Sequence, residues 1–196
     1  MPVTGRLIGL VQAKYLIAAG AAIAGLSMWH LTGLTDNITY NYAAMSRIYL
    51  ALGLPLLFLP ITTASYEGVP PEKTNQASAL INVARNLGGS IGVAMVQTIL
   101  AQRQQFHQSR LIEHIAPSDV GYQQTLAAVT HFFEAQDSNA TDAAAQALAY
   151  IAQMLQQQVN LLAYIDVFWW LSLIGAVMAP LALTLRSIDM NAPARH

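Results

Sequence analysis

The sequence contains no cysteine and very little charge. Without cysteine, neither a disulfide nor a thiolate metal site can form. Lys, Arg, Asp and Glu make up only 10% of the 196 residues, whereas about 25% is usual in soluble domains. The formal net charge is −1, so the chain has neither the basic excess of a nucleic-acid-binding protein nor an acidic tail. An ordinary soluble domain and a nucleic-acid partner are therefore both disfavoured.

Hydrophobic residues, by contrast, make up 55% of the sequence. They are concentrated in four segments, each about as long as the ~20 residues that a helix needs to cross a bilayer. These segments are residues 14–33, 43–66, 77–100 and 161–185. We therefore predict an all-α membrane protein with four transmembrane helices. The first segment continues too far past Ala24 for a cleaved signal peptide, which favours a retained helix.

The third segment, residues 77–100, carries a charge within its apolar length. Arg85 lies roughly 12 Å along the helix from the segment's start, and a cation at that depth in hydrocarbon indicates a functional interior site. Residues spaced three or four apart share its helical face: they are Ser78, Asn82, Gly89 and Gly92. We predict that this face lines a wet cavity. In the alternative interpretation, Arg85 extends to the lipid headgroups and anchors the helix.

Glycine and proline indicate where helices pack closely and where the chain turns. Small residues let helices approach each other in a membrane, and the candidate positions are Gly20, Gly25, Gly88 and Gly92. Pro55 and Pro60 weaken the backbone ladder of the second segment, which a helical bundle tolerates. Pro70 and Pro71 break the chain between the second and third segments.

The connection after the third segment is long and rich in Gln and Ala. We divide the chain into residues 1–100 with three transmembrane helices, residues 101–160 as an outer loop, and residues 161–196 with the last helix and a tail. Residues 101–115 and 143–159 have a helical composition. His107 and His114 could share a helical face, but no further ligand is evident, so we interpret them as solvated and predict no metal site.

The distribution of Lys and Arg predicts which side of the membrane each connection occupies. One side would hold Arg6, Lys14, Lys73, Arg186 and Arg195, and the other Arg47, Arg103 and Arg110. We therefore predict cytoplasmic N- and C-termini and an outer location for residues 101–160. Trp169 and Trp170 would form an aromatic belt at the outer end of the last helix. Asp166 is predicted at that edge, either as an interfacial residue or as a titratable group on the exit path.

The run of residues 57–100 resembles the late helices of the EmrB/QacA-like, fourteen-helix drug–proton antiporters of the major facilitator superfamily. Three elements carry the resemblance: Leu59-Pro60-Ile61-Thr62-Thr63, Gly68-Val69-Pro70-Pro71-Glu72, and the helix from Ala77-Ser78-Ala79-Leu80 to Asn86-Leu87-Gly88-Gly89-Ser90-Ile91-Gly92. Upstream, Gly5-Arg6-Leu7 through Lys14 resembles a cytoplasmic loop of the superfamily. That loop departs from the pattern, because Gly9 replaces a common acidic residue and Gln12 a glycine.

The resemblance implies that the chain contributes the last four helices of a major facilitator fold, and that Met1-Pro2-Val3 begins inside a longer transporter. The implied function is proton-coupled multidrug efflux of amphipathic compounds across the bacterial inner membrane. The proton gradient would supply the energy without a bound cofactor. The implied partners are the lipid bilayer, the missing N-terminal helices, a periplasmic adaptor and an outer-membrane channel.

The candidate residues fall into two groups. Those for substrate binding or coupling are Arg85, Asn82, Asn86, Ser78 and Asp166; those of the structural motif are Gly88, Gly89, Gly92, Pro60, Pro70 and Pro71. No catalytic residue is predicted, because the His-Glu-x-x-His motif and paired intramembrane aspartates are absent. The alternative function is a four-helix structural module that docks a periplasmic partner through residues 101–160. The Gln-rich patches of that loop could equally be a solvated spacer.

Overall fold

The computed structural model describes residues 11–35, 40–66, 68–113, 119–135 and 139–185. Within these ranges the chain forms five α-helices and one 3₁₀ turn, and no strand. The helices are α1 (Ala13–Leu31), α2 (Tyr40–Ser65), α3 (Thr74–Glu113), α4 (Val120–Glu134) and α5 (Ala140–Leu183), and the 3₁₀ turn is Pro71–Lys73. The prediction of an all-α protein is confirmed.

Three helical stretches in the described residues are long and apolar enough to cross a membrane. They are Tyr40–Ser65, Pro71–Glu113 and Thr141–Leu183. Helix α1 occupies the first predicted segment but is not among the three stretches that are long and apolar enough to cross a membrane. Its 19 residues include Lys14 and His30 near the two ends, which shortens the apolar stretch between them. The fourth membrane span therefore stays a prediction.

One compact unit comprises Met1–Val96 and Val167–His196. Among the described residues of this unit, α1 supplies most of the core: Ala13 and Ile17 pack with Ala182 of α5, and Leu57 of α2 packs against this cluster. The buried positions of α1 recur along its length from Ala13 to Ser27. Helix α1 therefore packs against both α2 and α5.

Glycine brings the backbones of these helices together. A Cβ atom added to Gly20 of α1 would lie 2.9 Å from the carbonyl oxygen of Gly53 on α2. A Cβ added to Gly175 of α5 would lie 2.8 Å from the Cα of Gly25 on α1. Real Cβ atoms cannot be accommodated at such distances from backbone, so only glycine allows these approaches. The predicted packing role of Gly20 and Gly25 is confirmed.

The turn between α2 and α3 follows from its glycine and prolines. Gly68 has φ +74°, a left-handed conformation that glycine adopts without steric cost. Pro70 is extended, with φ −58° and ψ 145°, and Pro71 opens the 3₁₀ turn. Proline suits a first helical position because its missing N–H would lack a partner there. Pro60, by contrast, lies inside α2 and is fully buried.

The second compact unit is Gln97–Asp166. It contains the end of α3, all of α4 and the first part of α5, whose buried residues include Ala143, Ala147 and Val159. Phe133 of α4 meets Tyr150 of α5 edge to face, with ring centroids 6.2 Å apart. The Asp119 carboxylate accepts a hydrogen bond from the Gly121 N–H and caps the start of α4.

Two features of these helices were not predicted from the sequence. Helix α3 is continuous over 40 residues and α5 over 44 residues, so residues 101–113 and 143–159 extend the predicted spans instead of forming separate helices. No Gly or Pro interrupts either junction, and Gln, Ala and Arg favour the helix. Helix α4 was not predicted.

Several predictions concern residues outside the described ranges. These residues are Met1-Pro2-Val3, Gly5-Arg6-Leu7, Gly9, His114, Arg186 and Arg195.

Candidate functional site

Arg85 lies on the exposed surface of α3 and contacts α2. Its Nη2 atom donates to the hydroxyl oxygen of Thr62 at 3.5 Å, which is near the upper limit for a hydrogen bond. The Thr62 hydroxyl donates in turn to the Phe58 carbonyl at 2.7 Å, so its oxygen is available as the acceptor for Arg85. The guanidinium group is thus held against the second half of α2.

A second polar contact joins the same two helices. The Tyr66 hydroxyl lies 3.0 Å from the Ser78 hydroxyl. Ser78 and Arg85 are seven residues apart on α3 and therefore lie on one face of that helix. Thr62 lies in the last turns of α2, and Tyr66 directly follows its last residue, Ser65. The structure therefore brings Arg85 and Ser78 to the same face. Sequence reasoning missed Thr62 and Tyr66, although their i, i+4 spacing was a usable signal.

The other predicted positions on α3 are open. Asn82 and Asn86 are exposed, and a Cβ added to Gly88, Gly89 or Gly92 would meet nothing within 4 Å. None of the residues of α3 is buried. In the described part of the chain, these glycines therefore do not pack against another helix, although the sequence predicted close approach there.

No carboxylate neutralises Arg85 among the described residues. The ion pairs found there involve Arg103, His107 and Arg110, all in the second unit. Among the described residues, Arg85 thus presents a positive charge on an apolar helix and has the Thr62 hydroxyl as its polar partner. Such a group can bind a carboxylate or phosphate through two parallel hydrogen bonds.

Asp166, the acidic candidate, has a different set of partners. Its Oδ2 atom lies 2.8 Å from His107 Nε2 and 3.6 Å from Arg103 Nε. The interpretation of His107 as a solvated residue is wrong, because its side chain is only 18% exposed and bonds to Asp166. The two residues are 59 positions apart, so no local sequence signal could have paired them.

A third polar cluster connects α1 and α2. The buried Ser27 hydroxyl donates to the Ser46 carbonyl at 2.9 Å, and His30 Nδ1 lies 2.9 Å from the Ser46 hydroxyl. The His30 ring stacks on Tyr42 with centroids 4.1 Å apart, and the Tyr42 hydroxyl donates to the His30 carbonyl. This cluster fastens the end of α1 to the start of α2.

The chain is similar to known export proteins. It is 25% identical over 169 residues to the multidrug export protein EmrB of Haemophilus influenzae, covering 86% of this chain and 32% of that protein. It is 23% identical over 188 residues to the uncharacterized MFS-type transporter YhcA of Bacillus subtilis, covering 95% of this chain and 35% of that protein. It is 32% identical over 112 residues to the cephamycin export protein CmcT of Amycolatopsis lactamdurans, covering 57% of this chain and 23% of that protein.

The chain spans about a third of the length of the first two of these relatives. No protein-family model matches it, and no solved structure matches it significantly.

These similarities confirm the resemblance predicted from residues 57–100. The chain is homologous to the EmrB-like transporters of the major facilitator superfamily. Together with its apolar helices, this similarity supports a multi-pass membrane protein. The relatives are transporters, which are not enzymes, and they do not favour a purely structural module.

Proposed function

We propose that this chain forms part of a proton-coupled multidrug efflux transporter of the bacterial inner membrane. The observation that carries the proposal is the polar side of α3, where Arg85, Asn82 and Asn86 lie exposed on a helix apolar enough to cross a membrane. Homology to export proteins supports this function. The transported compounds would be amphipathic, and the proton gradient would supply the energy.

In this proposal Arg85 binds either an acidic group on another helix or an anionic group of the substrate. Ser78, Asn82 and Asn86 supply neutral hydrogen-bonding groups beside it, and Asp166 takes part in proton coupling. An unpaired cation is costly in hydrocarbon, which supports a hydrated or paired environment for Arg85 in the complete transporter. Substitution of Arg85 tests this role.

The test compares Arg85→Lys and Arg85→Ala in the complete transporter by the efflux rate per inserted molecule. Both variants should lose transport, because an ammonium cannot reproduce the fork of a guanidinium. Arg47→Ala is the matched control, since Arg47 is an exposed arginine near the start of α2. Wild-type rates in both Arg85 variants would contradict the role, and full activity of Lys alone would support an anchor at the headgroups.

We further propose four membrane-spanning helices, with cytoplasmic N- and C-termini and residues 101–160 outside. The cysteine-free sequence allows this to be tested with single cysteines at Gln124 on α4 and Lys73 in the turn after α2. A membrane-impermeant maleimide should label Gln124→Cys in intact spheroplasts and Lys73→Cys only after permeabilisation. The opposite pattern would contradict this topology.

The partners proposed for the chain are further transporter helices, together with a periplasmic adaptor and an outer-membrane channel that contact residues 101–160. Transporter binding sites lie between two repeats, and the chain spans only about a third of its relatives. We therefore expect no drug efflux from the 196-residue chain alone. Proton-dependent extrusion of a fluorescent cation by the purified chain in liposomes would contradict this expectation.

A further inference from the structure

The pair formed by His107 and Asp166 joins α3 to α5 within the second unit. The 2.8 Å distance between His107 Nε2 and Asp166 Oδ2 is that of a short, well-formed hydrogen bond. The side chains are 18% and 31% exposed, respectively. Water thus reaches the pair but does not surround it, and the electrostatic interaction is less screened than on an open surface.

The effect of protonation on the hydrogen bond depends on which ring nitrogen of His107 already carries a hydrogen. An ionised carboxylate only accepts hydrogen bonds, so His107 must carry its hydrogen on Nε2. The next proton then binds at Nδ1 and leaves the Nε2–H···Oδ2 bond in place. Protonation converts a neutral donor into a charged one, and charge-assisted hydrogen bonds are roughly twice as strong. The link between the helices therefore becomes stronger when His107 gains a proton.

The surrounding charges are few. Arg103 of α3 lies 3.6 Å from the same Asp166 oxygen, and Arg110 of α3 stands over the Phe106 ring that also faces Arg103. Arg110 is itself paired with Glu113 at 3.8 Å. On α5, Tyr164 is the other titratable group near Asp166 in the sequence.

A contact that does not titrate lies beside the pair. Gln104 of α3 donates to Asn160 of α5 at 2.9 Å, and Gln156 donates to the same oxygen at 3.1 Å. These amides keep their charge state at every physiological pH, so they hold the helices together whether or not His107 is protonated. The His107–Asp166 pair adds a contact that depends on pH.

We propose that His107 and Asp166 form a proton-binding site whose occupation tightens the contact between α3 and α5. Protonation of His107 at Nδ1 places a positive charge beside the Asp166 carboxylate, so the contact is stronger when the site is occupied. Both helices continue without a break into stretches apolar enough to cross a membrane. The link to efflux rests on the proposed function: a proton from the outer side binds here and biases these helices.

The test measures the distance between α3 and α5 in the 196-residue chain in lipid nanodiscs. Spin labels on Gln108→Cys and Gln157→Cys, two exposed positions on these helices, report the distance by pulsed electron resonance. Between about pH 8 and pH 5, we expect the mean distance to shorten, because the stronger contact lowers the population of molecules in which the two helices have separated.

Substitutions at the site separate its charge from its shape. His107→Gln keeps a side-chain donor but cannot become charged, so its distance should not respond to pH. His107→Lys is charged throughout this range and should give the acidic distance at both values. Asp166→Asn should abolish the response. His131→Gln, which changes an exposed histidine of α4, is the matched control and should respond like the parent chain.

Two results would overturn the proposal: a parent distance that is independent of pH, or a pH response that survives in His107→Gln. A separate assay of proton-driven efflux in the complete transporter distinguishes failure of the proposed proton site from failure of the proposed efflux function. If the distance responds as expected but no proton-driven efflux occurs, the proposed function fails and the proton site stands. If efflux is proton-driven but the distance does not respond, the site fails and the function stands.

Discussion

The unit that contains α1 and α2 has two faces built from glycine. On the first, which we call the packed face, Gly20 of α1 meets Gly53 of α2 and Gly175 of α5 meets Gly25 of α1, and there is no room for a Cβ on Gly20 or Gly175. On the second, the open face, the three glycines of α3 between Gly88 and Gly92 have empty space around them. Glycine thus lies on both faces, but among the described residues only the packed face contacts another helix.

The comparison teaches that small residues permit a close contact without specifying its partner. The open face lies on the same helix as Arg85, and no residue of that helix is buried. Since this chain spans about a third of the length of these relatives, we propose that the open face lines a cavity that helices outside the chain complete. We therefore expect substitutions on the packed face to affect stability more than those on the open face.

The largest effect should come from adding a methyl group to the packed face. In Gly175→Ala the new Cβ would lie 2.8 Å from the Cα of Gly25, and α1 and α5 must separate because backbone cannot rotate aside. We expect a loss of about 1–3 kcal/mol in the free energy of unfolding, the usual cost of overpacking. Detergent-induced unfolding in mixed micelles measures it.

Gly92→Ala on the open face is the matched control for this substitution. Its Cβ meets nothing within 4 Å, and alanine favours the helix over glycine by roughly 0.5–1 kcal/mol. The isolated chain should therefore keep or gain stability. Equal destabilisation by the two alanines would remove the distinction between the faces.

A smaller effect is expected from the buried hydroxyl beside the packed face. Ser27→Ala removes the hydrogen bond from the Ser27 hydroxyl to the Ser46 carbonyl, which is 2.9 Å long and buried. The loss should be about 1 kcal/mol, typical of one intramolecular hydrogen bond. Ser90→Ala, an exposed serine on α3, serves as the control in the same unfolding assay and should change little.

The smallest effect should come from the exposed contact between α2 and α3. Tyr66→Phe and Ser78→Ala each remove the 3.0 Å contact between the two hydroxyls. Because water competes for exposed hydroxyls, each should cost at most about 0.5 kcal/mol. A double-mutant cycle isolates the pair, and a coupling energy well above that value would show that this contact fixes α2 against α3.

Sequence periodicity predicted the elements of the fold better than the contacts between them. The apolar segments placed α1, α2 and the first half of α3, and Pro70 and Pro71 marked the turn. The spacing of Ser78 and Arg85 correctly put both on one face, because a helix repeats every 3.6 residues. The continuity of α3 and α5 was missed because the change from apolar to Gln-rich composition resembles a boundary although nothing in it ends a helix.

Long-range pairs could not be predicted in the same way. Periodicity assigns a residue to a face but does not say which helix covers that face, so Thr62 was not matched to Arg85. The same limit applies to His107, whose partner Asp166 lies 59 residues away. The glycines show it most clearly, since Gly25 and Gly92 had equal grounds for a packing role and only Gly25 packs.

The central claim is that the polar side of α3 faces water in the complete transporter while its apolar side faces lipid or other helices. Single cysteines at Asn82 and Leu80, two exposed positions on α3, test it through their reaction rates with a water-soluble maleimide. Thiols react as thiolates, which require water. The account predicts rapid labelling of Asn82→Cys, slowed by a transported compound, and little labelling of Leu80→Cys. Equal rates at the two positions, or faster labelling of Leu80→Cys, would contradict it.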